Sequence, residues 1–342
     1  MRKLILSLVI GIILVTPILF AQRGGRATET LEVKLASPLP KESPWGRTLD
    51  RIAVEWNRIT NGQVRLNVRH GGIEGSENKM HLSLRSDIIQ AAVFTSFGLD
   101  TIEPSIMTLS APFLIRNEAE LNAVMKEVQG DLERKISSGS YFMLAWSKSG
   151  FVNIFSKEQV LTPDDLKRMK IASNPEATDM NTAFKTMGFQ VVESEWSDMG
   201  NKLNAGIVMA CYQNPAAIAA YQLHSILKNM LQVNIAPVLG GIVMNQVTWK
   251  KIGDLNPRYQ TELLNSTRKI AEEFDASLQK TVNDAVQAMS RSGLKVNQPS
   301  TAQPQLWYSE MERVVPSLLG TAFDRDLYNR VNSILVRYRG GR

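Results

Sequence analysis

The feature that most constrains this 342-residue chain is one uninterrupted helical repeat near its C-terminal end. Asn256-Pro257 supplies an N-cap and a first-turn proline. Apolar residues then recur at Leu263, Ile270, Phe274, Leu278, Val282, Ala285 and Met289, until Arg291 and the stop at Gly293. At about 1.5 Å per residue this helix is on the order of 50 Å long. That exceeds the width of one small domain, so the helix is expected to back two of them. A shared spine leaves a cleft on the opposite side, and clefts between domains are where small ligands usually sit.

The segments before it read as two α/β runs. LEVKLAS alternates as a strand and stops at Pro38 and Pro40. Ser43-Pro44 then opens a helix with Leu49, Ile52, Ala53, Trp56 and Ile59 on one face. VRLNVR is a strand, Glu77 to Leu84 a helix, and IIQAAVF a buried strand without alternation. A second run follows: strands at 141–147, 169–173, 190–194 and 207–212, with helices at 163–167, 178–187 and 197–204 between them. Strands alternating with helices predict βαβ units, hence an α/β fold of two lobes with the long helix spanning both.

The chain opens with Arg2 and Lys3, then an almost unbroken apolar run from Leu4 to Phe20, then Ala21 and polar QRGGR. This is the layout of a secretory signal peptide over residues 1–21. The competing reading is an uncleaved N-terminal anchor, because the run approaches the length of a spanning helix. On either reading the rest of the chain is exported. A single cysteine, Cys211, allows no intramolecular disulfide. The net charge of +6 is spread among acids, with no basic stripe carrying interleaved aromatics, so nucleic acid is not an expected partner.

No catalytic or metal constellation assembles. His70, His81 and His224 lie far apart and lack HExxH or CxxC companions. Cys211 sits in an apolar strand and is expected to be a buried, inert thiol. Gly71-Gly72 and Gly240-Gly241 are pairs rather than phosphate-cradling loops, and Asp164-Asp165 suits a helix start. No cofactor, no metal and no enzymatic activity are expected.

The order of segments resembles a known family. SPWGRTLDRIAVEWNRITNGQVRLNV, HGGIEGSENKMHLSLRSDIIQAAVF and APFLIRNEAEL come first. LAWSKSGFVNIFSKEQVLTPDDLKRMKI, FQVVESEWSDMGNKLNAGIV and QNPAAIAAYQL follow. Together, from Leu31 to about Val336, they resemble the DctP-type extracytoplasmic binding proteins of tripartite ATP-independent periplasmic (TRAP) transporters. The resemblance implies a periplasmic, flytrap-like protein whose lobes close on a small organic ligand and deliver it to TRAP membrane permease subunits. It implies lobes made of 31–149 plus 239–279 and of 150–238 plus 280–342. Some relatives of this type pair with a periplasmic helical-repeat (TPR) protein, so such a partner is a further expectation.

Family members hold a ligand carboxylate with a bidentate arginine, and here this sequence departs. The family's K-I-R-V-P segment stands as Lys170-Ile171-Ala172-Ser173-Asn174, and G-F-R stands as Gly150-Phe151-Val152. Its acidic V-D-G-x-E-N-N-P strand stands as 208–215, losing both acids but keeping Asn214 and Pro215. The covering aromatic matches Trp196. Burying a carboxylate without a cation costs several kcal/mol. With Phe151, Val152, Ala172, Met209, Tyr212 and Trp196 as candidate walls, the expected ligand is largely apolar or uncharged. Ser37 and Pro38 in the first loop, Phe94, Thr95 and Ser96 after the third strand, and Asn214 complete the candidate binding set. Two alternatives stay open: a carboxylate paired by Lys148, Arg168 or Lys170, and a docking protein that has lost transport.

Overall fold

The computed structural model describes residues 30–195 and 198–341. The signal-peptide reading of residues 1–21 and the Trp196 expectation fall outside them.

The first lobe begins as two βαβ crossovers. β1 (Leu31–Ala36) pairs in parallel with β2 (Val64–Arg69) and β3 (Ala91–Thr95), linked through α1 (Pro44–Ile59) and α2 (Glu77–Arg85). Ser43 caps α1 by accepting from Gly46 N, as the Ser-Pro pair predicts. α3 (Ser96–Asp100), a 3-10 segment (Pro104–Ser110) and α4 (Glu118–Ser138) lead into β4 (Tyr141–Ser156).

β4 is where the lobes join. From Tyr141 to Val152 it pairs antiparallel with β9 (Ala236–Asn245), which in turn pairs with β3. Its last residues, Asn153 to Ser156, pair antiparallel with β7 (Ala210–Gln213) in the second lobe's part of the sheet. That part holds β5 (Lys170–Ser173), parallel to both β7 and β6 (Gln190–Glu193). The full order is β2-β1-β3-β9-β4-β7-β5-β6, with β8 (Asn229–Leu231) joining β4 to β10 (Lys295–Asn297). α5 (Pro163–Lys167), α6 (Thr178–Thr186), α7 (Met199–Asn204) and α8 (Pro215–Ala220) surround the second lobe's part of the sheet. α9 (Gln246–Leu255) then returns to the first lobe.

α10 runs unbroken from Pro257 to Arg291, capped by the Asn256 side chain. Tyr259, Leu263 and Ile270 belong to the core of the first lobe, whereas Met289 and Val286 pack into that of the second. One helix therefore backs both lobes. Its middle residues, Leu278 and Ala285, are only half-buried, because they face a cavity. α11 (Gln303–Leu318) packs on α5 and α6, and α12 (Arg325–Gly340) closes the chain.

Four expectations differ from what is observed. The strand expected from Ile88 begins at Ala91, because Asp87 adopts φ +57° and turns the chain after α2. The strand expected from Ile207 begins at Ala210, after a turn through Gly206 at φ +72°. The strand expected to end at Ser147 continues to Ser156, since Gly150 at φ +83° and a register shift between Lys148 and Phe151 carry it across the junction. Finally, α12 was expected in the second lobe but packs on α4 of the first, where Arg339 pairs with Glu120 at 2.8 Å and Arg337 with Glu127 at 2.8 Å.

Candidate functional site

Two cavities adjoin the crossing strands β4 and β9. The first, of about 400 Å³, opens between the lobes. The loop after β1, the start of α2, the β3–α3 junction and the 3-10 segment form its first-lobe wall. β5 with the turn after it, the end of β7 and the start of α8 form the opposite wall.

Six of the expected residues converge here: Pro38, Thr95, Ser96, Val152, Ala172 and Tyr212. Val152 and Ala172, the positions that the sequence resemblance sets against arginines, border this inter-lobe hollow, and Ala172 is 1% exposed and packed into the second-lobe core. No lysine, arginine or histidine stands among the residues described around this cavity. The three cations weighed as substitutes are placed elsewhere. Lys148 Nζ donates to Asn122 at 2.6 Å, Arg168 pairs with Asp165 at 2.5 Å, and Lys170 is exposed.

The other candidates lie apart from this cluster. Ser37 is buried behind the wall and accepts from Leu39 N at 3.2 Å. Phe151 alternates to the opposite face of β4 and borders a separate hollow beside Glu118 and Asn153. Met209 packs against the core. Phe94 and Asn214 border the second cavity, where Asn214 also caps α8 and donates to Ser149 O at 2.8 Å.

The cleft contributes polar groups that sequence reasoning missed. Glu77 heads α2, where an acid ordinarily complements the helix dipole. Instead it reaches to β3, accepting from Thr95 N at 3.0 Å and from Thr95 Oγ1 at 2.9 Å. Burial pushes its carboxyl up to about 7, against those hydrogen bonds, and Glu176 from the other lobe adds repulsion. At the ends of α3 and α6, Asp100 is raised to about 6 by burial with Asp179 adding to it. Ser110, 3% exposed, lines the cleft with a hydroxyl that finds no partner among the described residues. On the second-lobe wall Ser173 donates to Asn181, so the Tyr212 hydroxyl, 2.7 Å away, must donate to Ser173. That leaves the Tyr212 oxygen free to accept.

The second cavity, of about 560 Å³, lies against α10. Trp45, Ala271, Phe274, Leu278 and Ala285 contribute to it, and no charged residue stands among the residues described around it. The Trp45 and Phe274 rings meet at a centroid distance of 4.2 Å. Cys211 is fully buried with its thiol pushed up to about 12 by burial, so it offers no nucleophile. Among the described residues no group of His, Cys, Asp or Glu is arranged to hold a metal ion.

Two α/β lobes, crossing strands, one spanning helix and a cleft between them define a two-lobed, flytrap-type periplasmic binding protein. Over residues 35–320 the chain belongs to the DctP family, the bacterial extracellular solute-binding proteins of family 7. It is 22% identical over 241 residues to the 2,3-diketo-L-gulonate-binding periplasmic protein YiaO of Escherichia coli strain K12, covering 69% of this chain and 72% of that protein. It is similar in fold to a TRAP periplasmic solute-binding protein from Ralstonia eutropha with bound (S)-2-acetolactate (TM-score 0.79, 19% identity, 90% and 99% of the two chains). A second such protein, from Pseudomonas putida with bound D-glucuronate, gives a TM-score of 0.76 at 20% identity over 88% and 97% of the chains.

Proposed function

We propose that this chain is the periplasmic solute-binding subunit of a TRAP transporter, a carrier and not an enzyme. It captures a small, uncharged and largely apolar organic ligand between its lobes and delivers it to the membrane permease subunits. The lobes divide near Gly150 on β4 and Leu239 on β9, where the crossing strands change partners.

One observation carries the ligand class: Ala172 and Val152 border the cleft, and no lysine, arginine or histidine stands among the residues described around it. A carboxylate moved into that space would lose its hydration, and the charged neighbours among the described residues are Glu77 and Glu176. Desolvation and repulsion then act in the same direction, each on the order of a kcal/mol or more. The bound acids of the structural neighbours, acetolactate and glucuronate, define the opposing reading, in which this chain also takes a carboxylate.

Native mass spectrometry of the purified protein, with extraction of co-purified molecules, and calorimetric titration with acids test the proposal. The expected ligand carries no acid group, and D-glucuronate and L-malate give no heat. Sub-micromolar binding of either acid would overturn it.

A further inference from the structure

The inter-lobe cleft and the apolar chamber against α10 are adjacent: Leu39, Thr95, Gln213, Ala217, Val238 and Leu239 border both. Leu39 comes from the first lobe and Ala217 from the second, so the two spaces meet at the same pair of lips. Their chemistry differs sharply. The cleft is bordered by the unpartnered, buried Ser110 hydroxyl, by the Tyr212 oxygen, which can still accept, and by the Glu77 and Glu176 carboxylates, of which Glu77 already accepts from Thr95. Three of those four groups can only accept, or have only acceptor capacity left, when the carboxyls are ionised. Among the described residues the chamber has no charged wall residue, and half-buried Trp45, Leu278 and Ala285 help to line it.

A buried polar group without a partner is uncommon, and a ligand donor that reaches Ser110 from this wall would supply one. An apolar cavity of this size beside it is filled most favourably by hydrocarbon. Resting on the carrier reading above, we propose that the ligand is an amphiphile in two parts. A compact, non-acidic head bearing hydroxyl or N–H donors sits in the cleft among Ser110, Tyr212 and Glu77. An alkyl or aryl tail passes Leu39 and Ala217 into the chamber, against Phe274 and Leu278.

The test uses the full chain with the uncharged fluorophore N-phenyl-1-naphthylamine, displaced by 1-alkanols from hexanol to decanol and by alkanoates of equal length. Alkanol affinity is expected to rise about three- to fourfold per added methylene. Each alkanoate is expected to bind at least tenfold more weakly than its alkanol. Ala271→Phe fills the chamber and should abolish the length dependence of alkanol binding. Ala285→Phe, at a half-buried site, gives the same readout should the first variant lose its circular-dichroism melt. Equal affinity along the alkanol series, or a slope preserved in both filled variants, overturns the two-part ligand. If only alkanoates bind, the carrier reading of an uncharged ligand falls instead. If alkanols bind without length dependence and Ala172→Arg blocks them, that reading stands and this inference alone fails.

Discussion

The Asp275 carboxylate accepts the backbone N–H of Lys148 at 2.8 Å, fixing the middle of the long helix to β4 just before that strand leaves the first lobe. Its other oxygen accepts from the Ser147 hydroxyl at 2.9 Å. Asp275→Ala leaves both donors without their acceptor in a partly buried place and is expected to cost about 1–3 kcal/mol in urea unfolding. Burial also raises this carboxyl from its ordinary 3.8 to about 6. The folded state therefore holds the proton more tightly than the unfolded one. The resulting stability is present below about pH 4 and lost as the pH climbs to about 6, a change of at most about 3 kcal/mol. Asp275→Asn should flatten that part of the pH–stability curve; an unchanged slope would show that the carboxyl titrates normally.

Glu77 extends the same argument to the cleft. Its carboxyl rises from 4.5 to about 7, with burial the largest cause. Like Asp275, it stabilises the fold fully only below its unfolded value, and the contribution fades as pH rises through about 7. Melting of the ligand-free protein should therefore fall between pH 5 and pH 8. Glu77→Gln should remove part of that fall, on the order of 3 kcal/mol at most. A variant whose melting temperature tracks the parent across this range would place the titration elsewhere.

Ala172→Arg places a guanidinium on β5, in the cavity that Glu77 also borders. A planar fork there can hold a carboxylate through two hydrogen bonds. The variant is expected to bind D-glucuronate detectably by calorimetry where the parent shows no heat, at a stability cost of about 1–3 kcal/mol for inserting a large side chain at a packed site. Silence from a well-folded variant would mean that Ala172 is a core residue only.

How far the sequence reached depends on the kind of signal. The long helix was legible because its apolar spacing has one period over its whole length, and its cap and stop are local residues. The α/β class followed from alternating elements. Strand ends were not legible where backbone conformation decides them: Asp87 at φ +57° turns the chain ahead of β3, and Gly150 at φ +83° lets β4 run on, and side-chain patterning encodes neither. The same alternation explains the site. Val152 reaches the cleft and Phe151 does not, because neighbouring β4 residues face opposite sides. Glu77 and Ser110 were missed because their roles are set by partners distant in sequence or by the lack of one. Asp100 and Asp179 likewise meet only in three dimensions.

Gly150 allows a final prediction at the junction itself. Its φ of +83° lies where side-chain-bearing residues are strained, and an added Cβ would lie 3.4 Å from Asn214 Nδ2. That amide donates to Ser149 O at 2.8 Å, so the glycine sits inside the contact that ties α8 of the second lobe to the crossing strand. Gly150→Ala is expected to cost about 1–2 kcal/mol through strain alone. Gly150→Asn should recover a sizeable share, because asparagine tolerates the left-handed region better than alanine. Urea midpoints for the two variants, read beside Asn214→Ala, separate strain from the lost hydrogen bond. Alanine as stable as glycine at this position would mean that β4 crosses the junction by another backbone path.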